Sequence, residues 1–143
     1  MAYGEKGLLT KAIAEFKRAI KGDSGYADAY YNLAFAYEQR RMITKAIAEY
    51  QRAISIDGKH DWAHNNLGLA YGKKGMFNEA ELEFKKVIKL NPKDSDAYCN
   101  LALAYYWESK NNMAVKHYDR AIQLGGKPDP EFLKALEPYR KSK

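Results

Sequence analysis

The amino-acid sequence predicts an all-α solenoid built from stacked helical hairpins. The first observation is a repeat, because residues 27–60 align with residues 61–94 and again with residues 95–128. The second is that apolar residues in each unit follow the spacing of three and four that is typical of amphipathic helices. The third is that turn-forming pairs, such as Asp57-Gly58 and Asn91-Pro92, separate the helical stretches. A fixed period of this length indicates units that pack only on their neighbours.

Aligned positions of the units hold the same kind of side chain. Two columns are aromatic, and a third consists of small residues that let the two helices of a hairpin approach closely. The columns are Tyr3, Tyr37, Tyr71 and Tyr105; Phe16, Tyr50, Phe84 and Tyr118; and Ala34, Gly68 and Ala102. A fourth column, Ala46, Ala80 and Ala114, is expected to face the small column from the second helix.

The first 26 residues predict a truncated unit. Met1 to Lys6 is expected to be the end of a helix whose beginning is missing, and Leu9 to Lys21 a second helix. We interpret this start as excision from a longer array. Four apolar residues should then lack a covering helix: Tyr3, Leu8, Leu9 and Ile13.

Residues 27–128 predict three complete hairpins, one for each unit: 27–60, 61–94 and 95–128. Each pairs two antiparallel helices of similar length. The six predicted helices are Ala27–Arg40, Thr44–Ile56, Asp61–Lys74, Asn78–Leu90, Ser95–Ser109 and Asn112–Leu124. Asp94 or Ser95 is a suitable N-cap for the fifth of these helices.

Residues 129–143 predict a C-terminal capping helix on the same continuous solenoid. Asp129-Pro130 is a favourable start, with Asp as the cap and Pro in the first turn. Phe132, Leu133 and Leu136 share one side, which should cover the exposed face of the last unit. Pro138 is expected to end or kink this helix near Glu137.

The third unit carries a recognisable signature. Its pattern His64-x-x-Leu67-Gly68-x-x-Tyr71, followed by Ala80-x-x-x-Phe84 and Pro92, resembles the tetratricopeptide repeat, with His64 where Trp is typical. The other units match at most of the same positions. The resemblance covers almost all of the chain. It implies a right-handed superhelix whose first helices line the concave surface, and a non-catalytic protein-interaction module.

The resemblance also implies which side chains face the concave groove. Many of them are aromatic or apolar and stand outside the columns that hold the hairpins together, as expected of a surface that binds a partner. The alternative is packing between neighbouring first helices, above all for Leu69 and Leu103. The predicted peptide-binding residues are Tyr31, Asn32, Phe35, Trp62, Asn65, Asn66, Leu69, Lys73, Asn100, Leu103, Tyr106 and Trp107.

An asparagine recurs once per unit, at Asn32, Asn66 and Asn100. An amide both donates and accepts, so it can bond to the backbone of an extended peptide. The positions are similar to the asparagine ladder of some tetratricopeptide superhelices. The alternative is a structural hydrogen bond to the neighbouring helix.

A carboxylate clamp of the type that binds chaperone tails is disfavoured. Of the family positions that supply its Lys, Arg and Asn side chains, the one at Asn66 fits, and Asn100 stands at another. The other matching positions are Tyr31, Phe35 and Asp96, none of which is cationic.

Other chemistries find little support. The net charge of +6 slightly favours acidic partners, but the basic residues are spread over every unit, so no nucleic-acid partner is expected. Cys99 has no local activating group, and His60 and His64 are not placed to share a metal, so neither catalysis nor a cofactor is expected. No apolar run could span a membrane. No secretion leader is visible, and the cytoplasm is the expected compartment.

The predicted function is therefore a scaffold that binds a peptide or helix through apolar or aromatic anchors. Two alternatives stay open at this point. One is a self-assembling scaffold, in which a second copy covers the truncated N-terminal hairpin. The other is the recruiting segment of a larger enzyme.

Overall fold

The computed structural model describes residues 3–140, with side chains from Glu5 onwards, and this range forms eight α-helices and no strand. The six helices predicted between residues 27 and 124 match the observed bounds to within two residues. The helices are α1 (Tyr3–Gly22), α2 (Ala27–Gln39), α3 (Ile43–Ile56), α4 (Asp61–Lys73), α5 (Phe77–Leu90), α6 (Ser95–Trp107), α7 (Asn111–Gln123) and α8 (Pro130–Arg140).

The helices pair as predicted into an all-α solenoid. They form the second, third and fourth hairpins, numbered by unit because the first unit contributes the single helix α1: α2–α3, α4–α5 and α6–α7. Each packs on the next through α3 and α4 or through α5 and α6. The small column lies at the centre of each hairpin, where Ala34 and Ala102 are fully buried. A Cβ atom added to Gly68 would lie 2.6 Å from the ring of Phe84, so the third hairpin has no room for a side chain there.

The three hairpin turns share one backbone conformation. The second residue after each first helix has a left-handed φ: 60° at Arg41, 74° at Gly75 and 62° at Ser109. Only the middle turn uses glycine, for which this conformation carries no steric cost. The equivalent Gly7 differs because it lies inside α1.

The N-terminal prediction was wrong in two respects. Residues 3–22 form one helix rather than the end of one helix followed by another, because the described chain offers nothing on which residues 3–8 could fold back. Ile13 is buried in the core rather than uncovered. Leu8 is 68% exposed and Leu9 is half-buried, whereas the side chain of Tyr3 falls outside the described residues. Self-association through this end stays a prediction.

Helix α8 covers the last hairpin as expected. Asp129 caps it by accepting a hydrogen bond from the backbone N–H of Glu131 at 2.9 Å, and Phe132 is buried against the core. Pro138 does not end the helix, which continues to Arg140. The guanidinium of Arg140 donates to Asp119 on α7 at 3.0 Å, and this ion pair holds the last turn in place.

The core consists of two clusters of buried side chains, one around the second hairpin and one around the fourth, and Tyr71 packs against both. Within the described range, every backbone hydrogen bond outside the helices joins residues at most five positions apart. Neighbouring hairpins are therefore held together by side chains. No helix among residues 3–140 combines the length and the apolar character that a bilayer crossing requires.

Candidate peptide-binding groove

The first helices of the hairpins, α2, α4 and α6, are called the inner helices below. Side chains three or four positions apart lie on the same face of a helix, so each turn adds one layer. Along α4 and α6 these layers differ in chemistry. An acidic layer contains Asp61, Trp62 and Asp96; an amide layer contains Asn65, Asn66 and Asn100; and an apolar layer contains Leu69 and Leu103, with Trp107 one turn further along α6.

The apolar layer borders a pocket between α4, α5 and α6. Its volume is about 240 Å³, and its lining is almost wholly apolar. Gly72 leaves space on one side, since a Cβ atom there would meet only the ring of Trp107, at 3.9 Å. The Trp107 and Phe77 rings lie 5.3 Å apart. The lining residues are Gly68, Leu69, Gly72, Lys73, Phe77, Ala80, Phe84, Asn100, Leu103, Ala104 and Trp107.

The amide layer links neighbouring hairpins through side-chain hydrogen bonds. Asn66 donates to the hydroxyl of Tyr31 at 3.0 Å, and Asn100 donates to the side-chain oxygen of Asn65 at 3.0 Å. These bonds match the structural alternative for Asn66 and Asn100. Asn32 differs, because it is exposed and forms no side-chain hydrogen bond within the described range.

The acidic layer surrounds a smaller pocket of about 170 Å³, which Asp94 also lines. Trp62 forms one wall and is 67% exposed, although its ring lies 6.3 Å from that of Tyr31. Neither Asp61 nor Asp96 forms an ion pair with any described residue. The layer is thus rich in carboxylates that have no cationic partner in the described part of the chain.

Lys73 stands at the rim of the apolar pocket and is engaged across the groove. Its ammonium donates to Glu38 on α2 at 2.7 Å, and the other Glu38 oxygen accepts from the hydroxyl of Tyr50 at 2.7 Å. Burial, together with this hydrogen bond, raises the pKa of Tyr50, so the hydroxyl remains a donor. The cation of Lys73 is therefore largely balanced within the protein.

The other predicted groove residues have different environments. Phe35 is 47% exposed on α2 and does not border the apolar pocket. Tyr106 is half-buried, and its ring meets Phe132 of α8 edge-on at 5.5 Å, so packing accounts for much of its surface. Cys99 is half-buried, and burial raises the pKa of its thiol, which opposes formation of a reactive thiolate.

Both His60 and His64 have structural partners. His60 accepts from the backbone N–H of Ala63 as the N-cap of α4, and its other ring nitrogen lies 2.9 Å from an oxygen of Asp28. His64 is buried, with its ring nitrogens 2.6 Å from Glu83 and 2.9 Å from the carbonyl oxygen of Gly58. No group of three His, Cys, Asp or Glu side chains in the described range is placed to hold a metal ion.

The contribution of the second helix to the pocket was not predicted from the sequence. Phe77 and Phe84 come from α5, which the family resemblance assigns to the outer surface. One signal was available. Phe77 is much larger than Asn111 at the equivalent position, and Gly72, which lines the same pocket, has no side chain.

Comparison with known proteins decides the family. One profile, described as TPR repeat, matches residues 2–40 and 43–75, and a second, described as Tetratricopeptide repeat, matches residues 62–94 and 95–125. The chain belongs to the tetratricopeptide repeat family. Proteins of this family are generally non-catalytic interaction modules, so membership supports a role in protein–protein interaction. No curated protein matches the chain.

Solved tetratricopeptide structures share the fold. A crystal structure of MamA is 31% identical, with a TM-score of 0.80 over 86% of this chain and 72% of MamA. The first TPR of Spaghetti (RPAP3), bound to the HSP90 peptide SRMEEVD, is 22% identical, with a TM-score of 0.77 over 84% of this chain and 97% of that one. A MamA RS-1 double mutant, at 18% identity, has a TM-score of 0.84 over 96% of this chain and 79% of that one.

Proposed function

We propose that this protein is a non-catalytic interaction module whose inner face binds a peptide or helix through apolar or aromatic anchors. The observation that carries the proposal is the solvent-accessible pocket between α4, α5 and α6, with its almost wholly apolar lining. Apolar concave sites are the usual places where proteins take up side chains of a partner. Trp107, 52% exposed at the edge of this pocket, is of the residue type that dominates binding hot spots.

The Spaghetti (RPAP3) domain with its bound HSP90 peptide supports the proposal, since it is a protein of the same fold that holds a peptide. The chemistry of the two grooves need not be shared. The clamp positions of this chain hold Tyr31, Phe35 and Asp96 in place of cationic side chains. An acidic C-terminal tail is therefore a poor candidate for the ligand.

The test is a peptide-display selection against the wild-type protein and a pocket-filled variant. Gly72→Leu places an isobutyl group in the pocket, and the helix should tolerate it because glycine is a poor helix former. Gly72→Ala is the matched control, since a methyl group leaves most of the pocket open. Circular dichroism melting verifies that both variants fold.

We expect peptides with a shared apolar or aromatic residue to be enriched on the wild-type protein and on Gly72→Ala. Their affinity for Gly72→Leu should fall at least about tenfold, which is typical for the loss of a buried anchor. Equal affinity for all three proteins would move the binding surface away from this pocket. An absence of enrichment on the folded wild-type protein would overturn the proposal.

A further inference from the structure

The charges of the solenoid are segregated between its two sets of helices. The inner helices contain four carboxylates and one lysine: Asp28, Glu38, Asp61, Asp96 and Lys73. The second helices of the hairpins together with α1, called the outer helices, contain twelve Lys or Arg residues and seven carboxylates. The chain is basic overall, yet the inner helices that border its proposed groove are acidic.

The carboxylates of the groove concentrate at one end of it. Asp61, Asp94 and Asp96 line the pocket beside Trp62, at the N-terminal ends of α4 and α6. The lysine of the inner helices, Lys73, lies at their other end and is already paired with Glu38. Asp94 accepts from the backbone N–H of Ala97 as the N-cap of α6, and Asp61 accepts from the N–H of Trp62, but neither carboxylate has a cationic partner in the described range. An approaching cation therefore meets unpaired negative charge, next to an exposed indole face that also attracts cations.

The distance between the two pockets predicts how far apart the two contacting side chains of a partner should be. Trp62 and Leu69 are seven residues apart on α4, as are Asp96 and Leu103 on α6. At the rise of an α-helix this separates the acidic and apolar layers by about 10 Å. An extended peptide covers about 10 Å in roughly three residues. The amide layer lies between them along the two helices.

We propose that the occupant of the groove is a basic segment of a partner protein, with Lys or Arg side chains at the acidic layer and an apolar side chain in the α4–α5–α6 pocket. This inference rests on the proposed function and adds the chemical class of the partner. It reverses the expectation from the net charge of +6, because the field at the groove depends on the nearby Asp61, Asp94 and Asp96 rather than on distant lysines.

The experiment scores the charge of the selected peptides and then the binding of one of them. In a random library we expect Lys or Arg to be enriched about three positions from the apolar anchor. The best peptide is then titrated by fluorescence anisotropy against Asp61→Asn/Asp96→Asn. The matched control is Glu5→Gln/Glu79→Gln, which removes the same charge from exposed sites on the outer helices.

We expect the groove variant to weaken binding about threefold to tenfold at low salt, the control variant to have no effect, and added salt to reduce the difference. Anchored peptides with acidic or neutral flanks, or equal binding by both double variants, would overturn the inference while the groove function stands. If no peptide is enriched on the folded protein, both proposals fall together.

Discussion

The second and third hairpins place the same carboxylate in opposite environments. Glu49 and Glu83 are equivalent, and each has a basic residue three positions later that approaches one of its oxygens, at 3.3 Å from Arg52 and 3.0 Å from Lys86. The first helix supplies Tyr30 in one hairpin and His64 in the other. Only His64 bonds to its carboxylate, at 2.6 Å, whereas an oxygen of Glu49 is buried with no hydrogen-bond partner in the described range.

The pKa values follow this difference. Burial raises the pKa of Glu49, and the nearby Arg52 only partly offsets it. Burial also opposes ionisation of Glu83, but hydrogen bonds from His64 and Lys86 outweigh it and lower the pKa of that carboxyl. The hydrogen bond to Glu83 in turn raises the pKa of His64. One substitution between repeats thus decides whether a buried carboxylate stabilises its hairpin or opposes its folding.

The largest expected effect comes from replacing His64 of the third hairpin by tyrosine, the residue that the second hairpin has at the equivalent position, Tyr30. His64→Tyr removes the hydrogen bond from His64 and leaves Lys86 as the remaining partner of Glu83, so the free energy of unfolding should fall by about 2 kcal/mol. Urea unfolding followed by circular dichroism measures the change. His64→Tyr/Glu83→Gln should recover much of the loss, because the charge whose ionisation burial opposes is then removed. Simple addition of the two single effects would contradict this account.

The second prediction concerns pH. A raised pKa in the folded state means that His64 contributes its full stability below its ordinary pKa of 6.5 and loses it as the pH rises through the folded value. Glu83, whose pKa is lowered, contributes above its ordinary 4.5 and loses this contribution as the pH falls through the folded value. The stability difference between wild type and His64→Tyr should be largest between pH 4.5 and pH 6.5, the ordinary pKa values of the two groups. A difference that is constant from pH 5 to pH 9 would exclude the ion pair.

The smallest effect is expected at the second hairpin. Glu49→Gln removes a charge that burial disfavours, so it should stabilise the protein at pH 7, by less than about 1 kcal/mol because the ion pair with Arg52 is also lost. The sign of the stability change distinguishes the two hairpins, since Glu83→Gln should destabilise the protein. The gain should vanish below the raised pKa of Glu49, where the carboxyl is already neutral. Destabilisation by both glutamines would remove the contrast between the hairpins.

The repeat architecture could be predicted from the sequence because it depends on local signals. Apolar spacing, turn residues and the columns fix helix bounds to within two residues between positions 27 and 124. The turn predicted around Gly7 was wrong because that prediction also used only local signals. The column of Gly7 predicts a turn, but a turn forms only where the flanking helices can pack, and α1 continues through it.

The side-chain partners within the groove could not be predicted as well. The bond from Asn100 to Asn65, rather than to the equivalent Asn66, depends on how neighbouring hairpins are set against each other. The apolar pocket likewise requires Phe77 of α5 to approach Trp107 of α6. The pair of His64 and Glu83 left a visible signal, a histidine at the Trp position with a carboxylate nineteen residues later, but either residue alone is unremarkable.

The absence of backbone hydrogen bonds between hairpins in the described range has a mechanical consequence. Tension applied along the solenoid would load side-chain contacts, such as those between Asn65 and Asn100 and between Lys73 and Glu38, before any helix lengthens. The solenoid should therefore extend easily by separation of its hairpins, while each hairpin keeps its own length. A peptide bound across α4 and α6 would contact two neighbouring hairpins, so peptide binding should make the solenoid harder to extend.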